Sequence, residues 1–165
     1  MLEKTIQLDK LTIIIQTSET ETRFILSGQL SESFDQREIP KAKTSTVIFD
    51  LAEVNYVSSV GIREWVLLVN HWSKHHKLYY ERCSIYFVDQ MNMVPDCLGP
   101  AKMSSFFAPY FCELCNSETT RLLKIKEHLD TVKNSRAPTF ICDCGKTELE
   151  FDALEDSYFS FLKFK

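Results

Sequence analysis

Hydrophobic and polar positions change period several times along this chain, and each change marks an element. Leu11-Thr-Ile-Ile-Ile-Gln16 and Arg23-Phe-Ile-Leu-Ser27 are rich in β-branched and aromatic residues, and the polar stretch TSETET separates them. That pattern predicts a β-hairpin. Gly28 interrupts the second run, Ser31 can cap a short helix over SESFDQREI, and Pro40 would end it. Val47-Ile-Phe-Asp-Leu51 is apolar apart from Asp50, as expected of a strand buried on both faces. After a loop over 52–61, Ile62, Trp65, Val66, Val69 and Trp72 recur at helical steps. The helix should begin near Ser58 or Ser59, where a serine hydroxyl can accept from the free N–H groups of the first turn. It should fray into His71-Trp-Ser-Lys-His-His-Lys77. Ile85-Tyr-Phe-Val88 predicts another strand, with turn residues Pro95, Gly99 and Pro100 beyond it. The sum is an α/β arrangement around a mixed sheet.

Composition narrows the class. The 165 residues are 44% hydrophobic and 25% charged, which describes an ordered globular chain. No apolar run approaches the ~20 residues of a membrane helix. Charges in MLEKTIQLDK occupy the place of a secretory signal's apolar stretch, so a cytoplasmic location is expected. The net charge of −4 divides evenly between residues 1–108 and 109–165. Neither part has the basic excess that phosphate neutralisation requires, which argues against DNA or RNA as a partner.

The stretch Val47-Ile-Phe-Asp50-Leu51-Ala-Glu-Val54-Asn-Tyr56-Val57-Ser58-Ser59-Val60-Gly61-Ile62 resembles the core signature of the STAS domain (sulfate transporter and anti-sigma-factor antagonist). That signature runs from a strand ending in Asp-Leu, through an apolar-aromatic pair and Asp-Ser-Ser-Gly, into a helix. Leu26-Ser-Gly28-Gln-Leu30 is similar to the family's strand ending in Gly-x-Leu, and the likeness spans roughly residues 8–105. It implies a STAS-like mixed sheet with helices over 1–108, and a bacterial protein-interaction module in signalling. In bacterial members a partner kinase phosphorylates the serine after the Asp and so breaks a complex. Ser59 falls on that serine, Ser58 stands in place of the acid and Val60 in place of the next serine. Ser58, Ser59 and Gly61 are therefore the candidate partner-binding residues, with Ser59 the candidate phosphorylation site. The simpler reading of the same serines is a helix cap.

The last third differs. Cys112-x-x-Cys115, after Pro-Tyr-Phe, and Cys142-x-Cys144-Gly145, after Phe-Ile, read as two metal knuckles. A tight pair puts two thiolates on one turn, and two pairs complete a site of four that leaves no open position for catalysis. Gly145 stands where such a turn needs positive φ. Structural Zn2+ in a zinc-ribbon-like region over 109–165 is the expectation. Arg121-Leu-Leu-Lys-Ile-Lys126 should be one of its strands, and Pro138-Thr-Phe-Ile141 should lead into the second knuckle. A redox pair is the competing reading, but it would place one Cys-x-x-Cys at a helix start beside a strand. Some 57 residues bury too little surface to be comfortably stable alone, which gives a metal its purpose.

Asp152-x-x-Glu155 suggests a capping box, and Leu154, Tyr158, Phe161 and Leu162 suggest a final amphipathic helix. Eight of the 12 phenylalanines lie from Phe106 onward, so this end should pack against the first part instead of swinging free; an exposed aromatic face awaiting a partner is the sharper alternative. His71, His75 and His76 read as a solvated helix end, and Cys83 and Cys97 as packing thiols. His128 has no catalytic company in the sequence, and no phosphate loop or nucleophile–base–acid set can be assembled. The expectation is a non-enzymatic module that binds a kinase or anti-sigma-type protein, with no membrane association. Two alternatives belong to other classes: a zinc-ribbon nucleic-acid binder or scaffold using the α/β part to dimerise, and a thiol redox enzyme.

Overall fold

A computed structural model describes residues 1–164, with the Phe164 side chain left aside. Six strands form the first sheet: β1 (Leu2–Leu8), β2 (Leu11–Thr17), β3 (Glu21–Leu30), β4 (Thr46–Val57), β5 (Lys77–Glu81) and β6 (Lys102–Met103). They lie side by side in chain order. The β1–β2 and β2–β3 pairs are antiparallel, while β3–β4, β4–β5 and β5–β6 are parallel, so the sheet is mixed. The expected hairpin is β2–β3, and its alternation survives as Leu11, Ile13 and Ile15 facing Phe24 and Leu26 in the core. Strand β4 lies centrally, and Val47 to Leu51 are all buried.

Two helices, α1 (Ser59–Trp72) and α2 (Ile85–Met93), bury their apolar sides on this sheet. Trp65 of α1 stands edge-on to Phe49 of β4 at 4.9 Å and to Phe87 of α2 at 5.4 Å. Its indole N–H donates to the Tyr80 hydroxyl at 2.8 Å, and that hydroxyl donates to the Cys97 carbonyl at 2.6 Å. The polar atoms of the largest buried rings are thus satisfied within the core, which makes their burial affordable.

Several elements depart from the sequence reading. Ile85–Val88 opens helix α2 instead of forming a strand. Ser84 caps it, accepting from the Phe87 N–H at 3.3 Å, and Phe87, Val88 and Met91 supply a helical stripe. The strand in this part of the chain is β5, where Leu78 and Tyr80 alternate inward between charged ends. Only a 3-10 turn over Gln36–Glu38 forms where a helix from Ser31 was expected, and Asp35 caps it. Strand β1 was not anticipated: it is an edge strand, mostly exposed, and only Ile6 and Leu8 pack against the core.

From β6 the chain passes through Ser104 directly into β7 (Ser105–Cys112), the centre of a second sheet with β8 (Ser117–Lys124) and β9 (Glu150–Phe151). Both pairings are antiparallel. The first turn of β7 still bonds to the first sheet, since the Phe107 N–H donates to the Cys83 carbonyl at 2.8 Å. The strand expected over 121–126 ends at Lys124, and Ile125 and Lys126 instead open helix α3 (Ile125–Lys133).

The expected long terminal helix is reduced to one turn, α4 (Glu155–Tyr158), and a 3-10 segment over Ser160–Phe164. Its capping box does not form: Leu154 occupies the cap without a side-chain bond, and the Glu155 carboxylate accepts instead from the Ala137 N–H at 2.7 Å. Leu154 is exposed. Tyr158, Phe159 and Phe161 are buried, Phe161 edge-on to Phe106 at 5.1 Å, so this aromatic segment is core. Asn92 of α2 fastens it. Its amide donates to the Tyr158 carbonyl at 2.9 Å, and its oxygen accepts from the Phe161 N–H and the Ser160 hydroxyl, each at 2.8 Å. One hydrophobic core consequently runs from Leu11 to Phe161. Among the described residues no helix is long and apolar enough to cross a membrane.

Candidate metal centre and helix-start loop

The cysteine pairs sit on turns that adjacent strands hold in place. Cys112 ends β7, Ser117 opens β8, and Cys112 and Ser117 pair across the ladder, so Cys115 is carried by the intervening turn. Asn116, at φ 53°, takes the left-handed position that such a turn requires and that Asn tolerates. The second turn stands between Ile141 and Glu148, which form a bridge. Gly145 has φ 73° and its N–H donates to the Cys142 carbonyl at 2.8 Å. This is the role the sequence assigned to it.

These turns bring Cys112, Cys115, Cys142 and Cys144 together, with all four Sγ atoms within 4.8 Å of one another. Cys115 to Cys142 is 3.7 Å and Cys112 to Cys144 is 3.9 Å, and both contacts join one turn to the other. The four cysteines can hold a metal ion. Backbone groups prepare the sulfurs: the Cys144 N–H points at Cys142 Sγ at 3.5 Å. The Cys115 N–H is the main influence holding the Cys112 thiol below its ordinary range. Cys142 is pushed up to about 12, because neighbouring thiols and burial outweigh the Cys144 N–H that lowers it. Four adjacent sulfurs cannot all carry charge without a cation among them, whereas a bound dication reverses the balance and deprotonates its ligands.

Two supporting residues were missed in the sequence. The Ser117 hydroxyl lies 2.9 Å from Cys115 Sγ, and Arg121 of β8 reaches the Asp143 carboxylate at 2.8 Å, tying β8 to the second cysteine turn. Their only sequence signal is position: Ser117 stands two residues after Cys115, and Arg121 lies on the strand that follows, with its partner Asp143 between the cysteines of the other pair.

At the opposite part of the chain, Ser58, Ser59 and Gly61 take three different positions. Ser58 is buried at the α1 cap and accepts from the Gly61 N–H at 3.0 Å. Gly61 is buried against β3, where an added Cβ would collide with the Leu30 carbonyl oxygen. Ser59, the first residue of α1, is exposed and takes no part in the cap.

Other candidates resolve into structure. Asp50 is buried, and both the Nε and an Nη of Arg82 donate to its Oδ2, at 2.9 and 2.6 Å. Cys83 and Cys97 are buried, and desolvation raises both thiols, Cys97 to about 12, as suits packing groups and not nucleophiles. The His71 and His75 rings are exposed at 6.2 Å, His76 Nδ1 lies 2.7 Å from the Thr44 carbonyl, and His128 turns back onto Lys124 at the start of α3. No protein-family model matches this chain, and a search of curated proteins finds no match.

Proposed function

We propose that this chain is a non-enzymatic, cytoplasmic bacterial protein-binding module of the STAS type, with Ser59 as its regulated position and a zinc-ribbon-like C-terminal region built on a structural zinc ion. The observation that carries the first part is the division of labour at the start of α1. Ser58 is committed to the cap, which leaves the Ser59 hydroxyl exposed on the first turn of a 14-residue helix. A phosphate there meets the positive end of the helix dipole and adds about two negative charges to a partner-facing loop. An acidic partner surface is repelled by it, which is the chemistry of a phosphate-controlled dissociation. A kinase or anti-sigma-type protein is the partner class that follows.

Zinc is favoured at the cysteines by ligand type and by spacing. Soft thiolates in a closed set of four suit this ion. A tetrahedron of Zn–S bonds of ~2.3 Å has edges of ~3.8 Å, and two sulfur pairs across the site measure 3.7 and 3.9 Å. The role is structural, since no coordination position remains for substrate.

Native intact mass of the protein purified from its own host tests both parts in one spectrum. The expected result is one zinc ion together with a phosphorylated fraction whose fragments place phosphate on Ser59. Zinc with no phosphate under any growth condition would sink the switch. A metal-free protein with its four thiols rapidly alkylated would sink the zinc site and favour redox chemistry.

A further inference from the structure

Outside the cysteine centre and the Ser59 loop, a cleft of about 630 Å³ opens between β6, α3 and the C-terminal segment. Its size lies within the range of small-molecule sites. The walls are apolar: Met103 from β6, Ile125, Leu129 and Val132 along one side of α3, and Phe159 and Leu162 from the C-terminal segment. Ile125, Leu129 and Val132 are spaced as one helical stripe, yet Leu129 is 48% exposed over the cleft instead of closing it. An amphipathic helix whose apolar stripe faces an open apolar cleft exposes surface that an apolar occupant would remove from water.

The charges select the occupant. Every charged side chain that lines the cleft is a lysine: Lys102 on β6, Lys133 at the end of α3, and Lys163. Among the described residues Lys102 and Lys133 form no ion pair, and Lys163 has only an exposed contact of 3.9 Å with Asp156. From this combination we infer that the cleft binds a single-chain fatty carboxylate, the tail lying along the α3 stripe and the carboxylate among the three ammonium groups. Three cations around an apolar volume repel cationic amphiphiles, and a carboxylate gains a Coulombic attraction there that a neutral chain lacks.

The test is calorimetric titration of the full chain with decanoate, laurate and myristate below their micelle concentrations. The expected result is saturable one-to-one binding that tightens about fourfold with each added methylene until the cleft is full. Leu129→Glu should abolish laurate binding while leaving the melting transition in place, because the side chain it replaces is already half exposed. Lys102→Glu with Lys133→Glu should weaken it several-fold, and dodecyltrimethylammonium should not bind. No saturable laurate binding, equal binding of the cationic amphiphile, or undiminished binding by Leu129→Glu would each overturn the inference. So would an acidic amphipathic peptide that occupies this face of the wild-type chain where laurate does not.

Discussion

The two sheets of this protein are held together by different means. The six-stranded sheet is stabilised by ring packing: Phe24, Phe49, Trp65, Tyr80 and Phe87 are fully buried and touch in a continuous chain under α1 and α2. In the three-stranded sheet the turns carrying the cysteines are largely exposed: Glu113, Leu114, Cys115, Asp143 and Gly145 all face solvent. The body of that sheet shares the common core through Phe106, Ala108, Tyr110 and Leu123, whereas its cysteine turns lie beyond that packing, where only the four thiols converge. The contrast teaches that the stability of each half should answer to a different perturbation, and both tryptophans, Trp65 and Trp72, lie in the first half and report on it alone.

Metal removal should break the comparison most forcefully. A strong chelator is expected to cost the cysteine region on the order of 10 kcal/mol. Amides of β8 and of 140–149 should lose hydrogen-exchange protection while tryptophan fluorescence stays native. A single transition seen by both probes would mean that the halves unfold as one unit. The converse perturbation is Trp65→Ala, which leaves a large cavity and removes the indole donor to Tyr80; about 3–5 kcal/mol should be lost in denaturant unfolding, with the four thiols still protected from alkylation by the metal.

Asn92→Ala acts on the seam between them. It removes three hydrogen bonds to the C-terminal segment, and about 1–3 kcal/mol is expected, because the Phe161 N–H is left without a partner. Exchange should accelerate first over 155–161. The smallest and sharpest contrast is between adjacent serines. Ser58→Ala should cost about 1 kcal/mol through the lost cap, and Ser59→Ala should stay within about 0.5 kcal/mol. Equal costs, read from paired thermal melts, would erase the distinction between structural and accessible serine on which Ser59's role depends.

The parts legible in the sequence are those whose signal is local. The β2–β3 hairpin, the start of α1 at Ser59 and the two cysteine turns each announce themselves within a dozen residues, through alternation, a cap and paired thiols. Failures fall where partners far away in sequence decide. Ile85-Tyr-Phe-Val88 has the composition of a strand, and it is packing against β4 and the C-terminal segment, some seventy residues on, that favours the helix which the Ser84 cap opens. Glu155 abandons the capping box because Ala137, eighteen residues upstream, presents a better-placed N–H. Strand β1 carries a weak pattern, since at this exposed edge only Ile6 and Leu8 pack inward. At the candidate site the ligands were readable, but Ser117 and Arg121 were not, because their roles depend on which strand faces which turn.

The Asn92 clasp has a consequence for the order of events during synthesis. Helix α2 is complete by Met93, but the side chains that finish its surroundings, Phe159 and Phe161, are translated some seventy residues later. A nascent chain emerging in the amino-to-carboxyl direction can assemble the six-stranded sheet early and must then keep Phe106 and one side of α2 uncovered until Phe161 clears the ribosome. The interval before that closure is when the young chain is most exposed to misassociation. A ribosome stalled just short of Phe159 should therefore hold a chain with a formed sheet and an open seam.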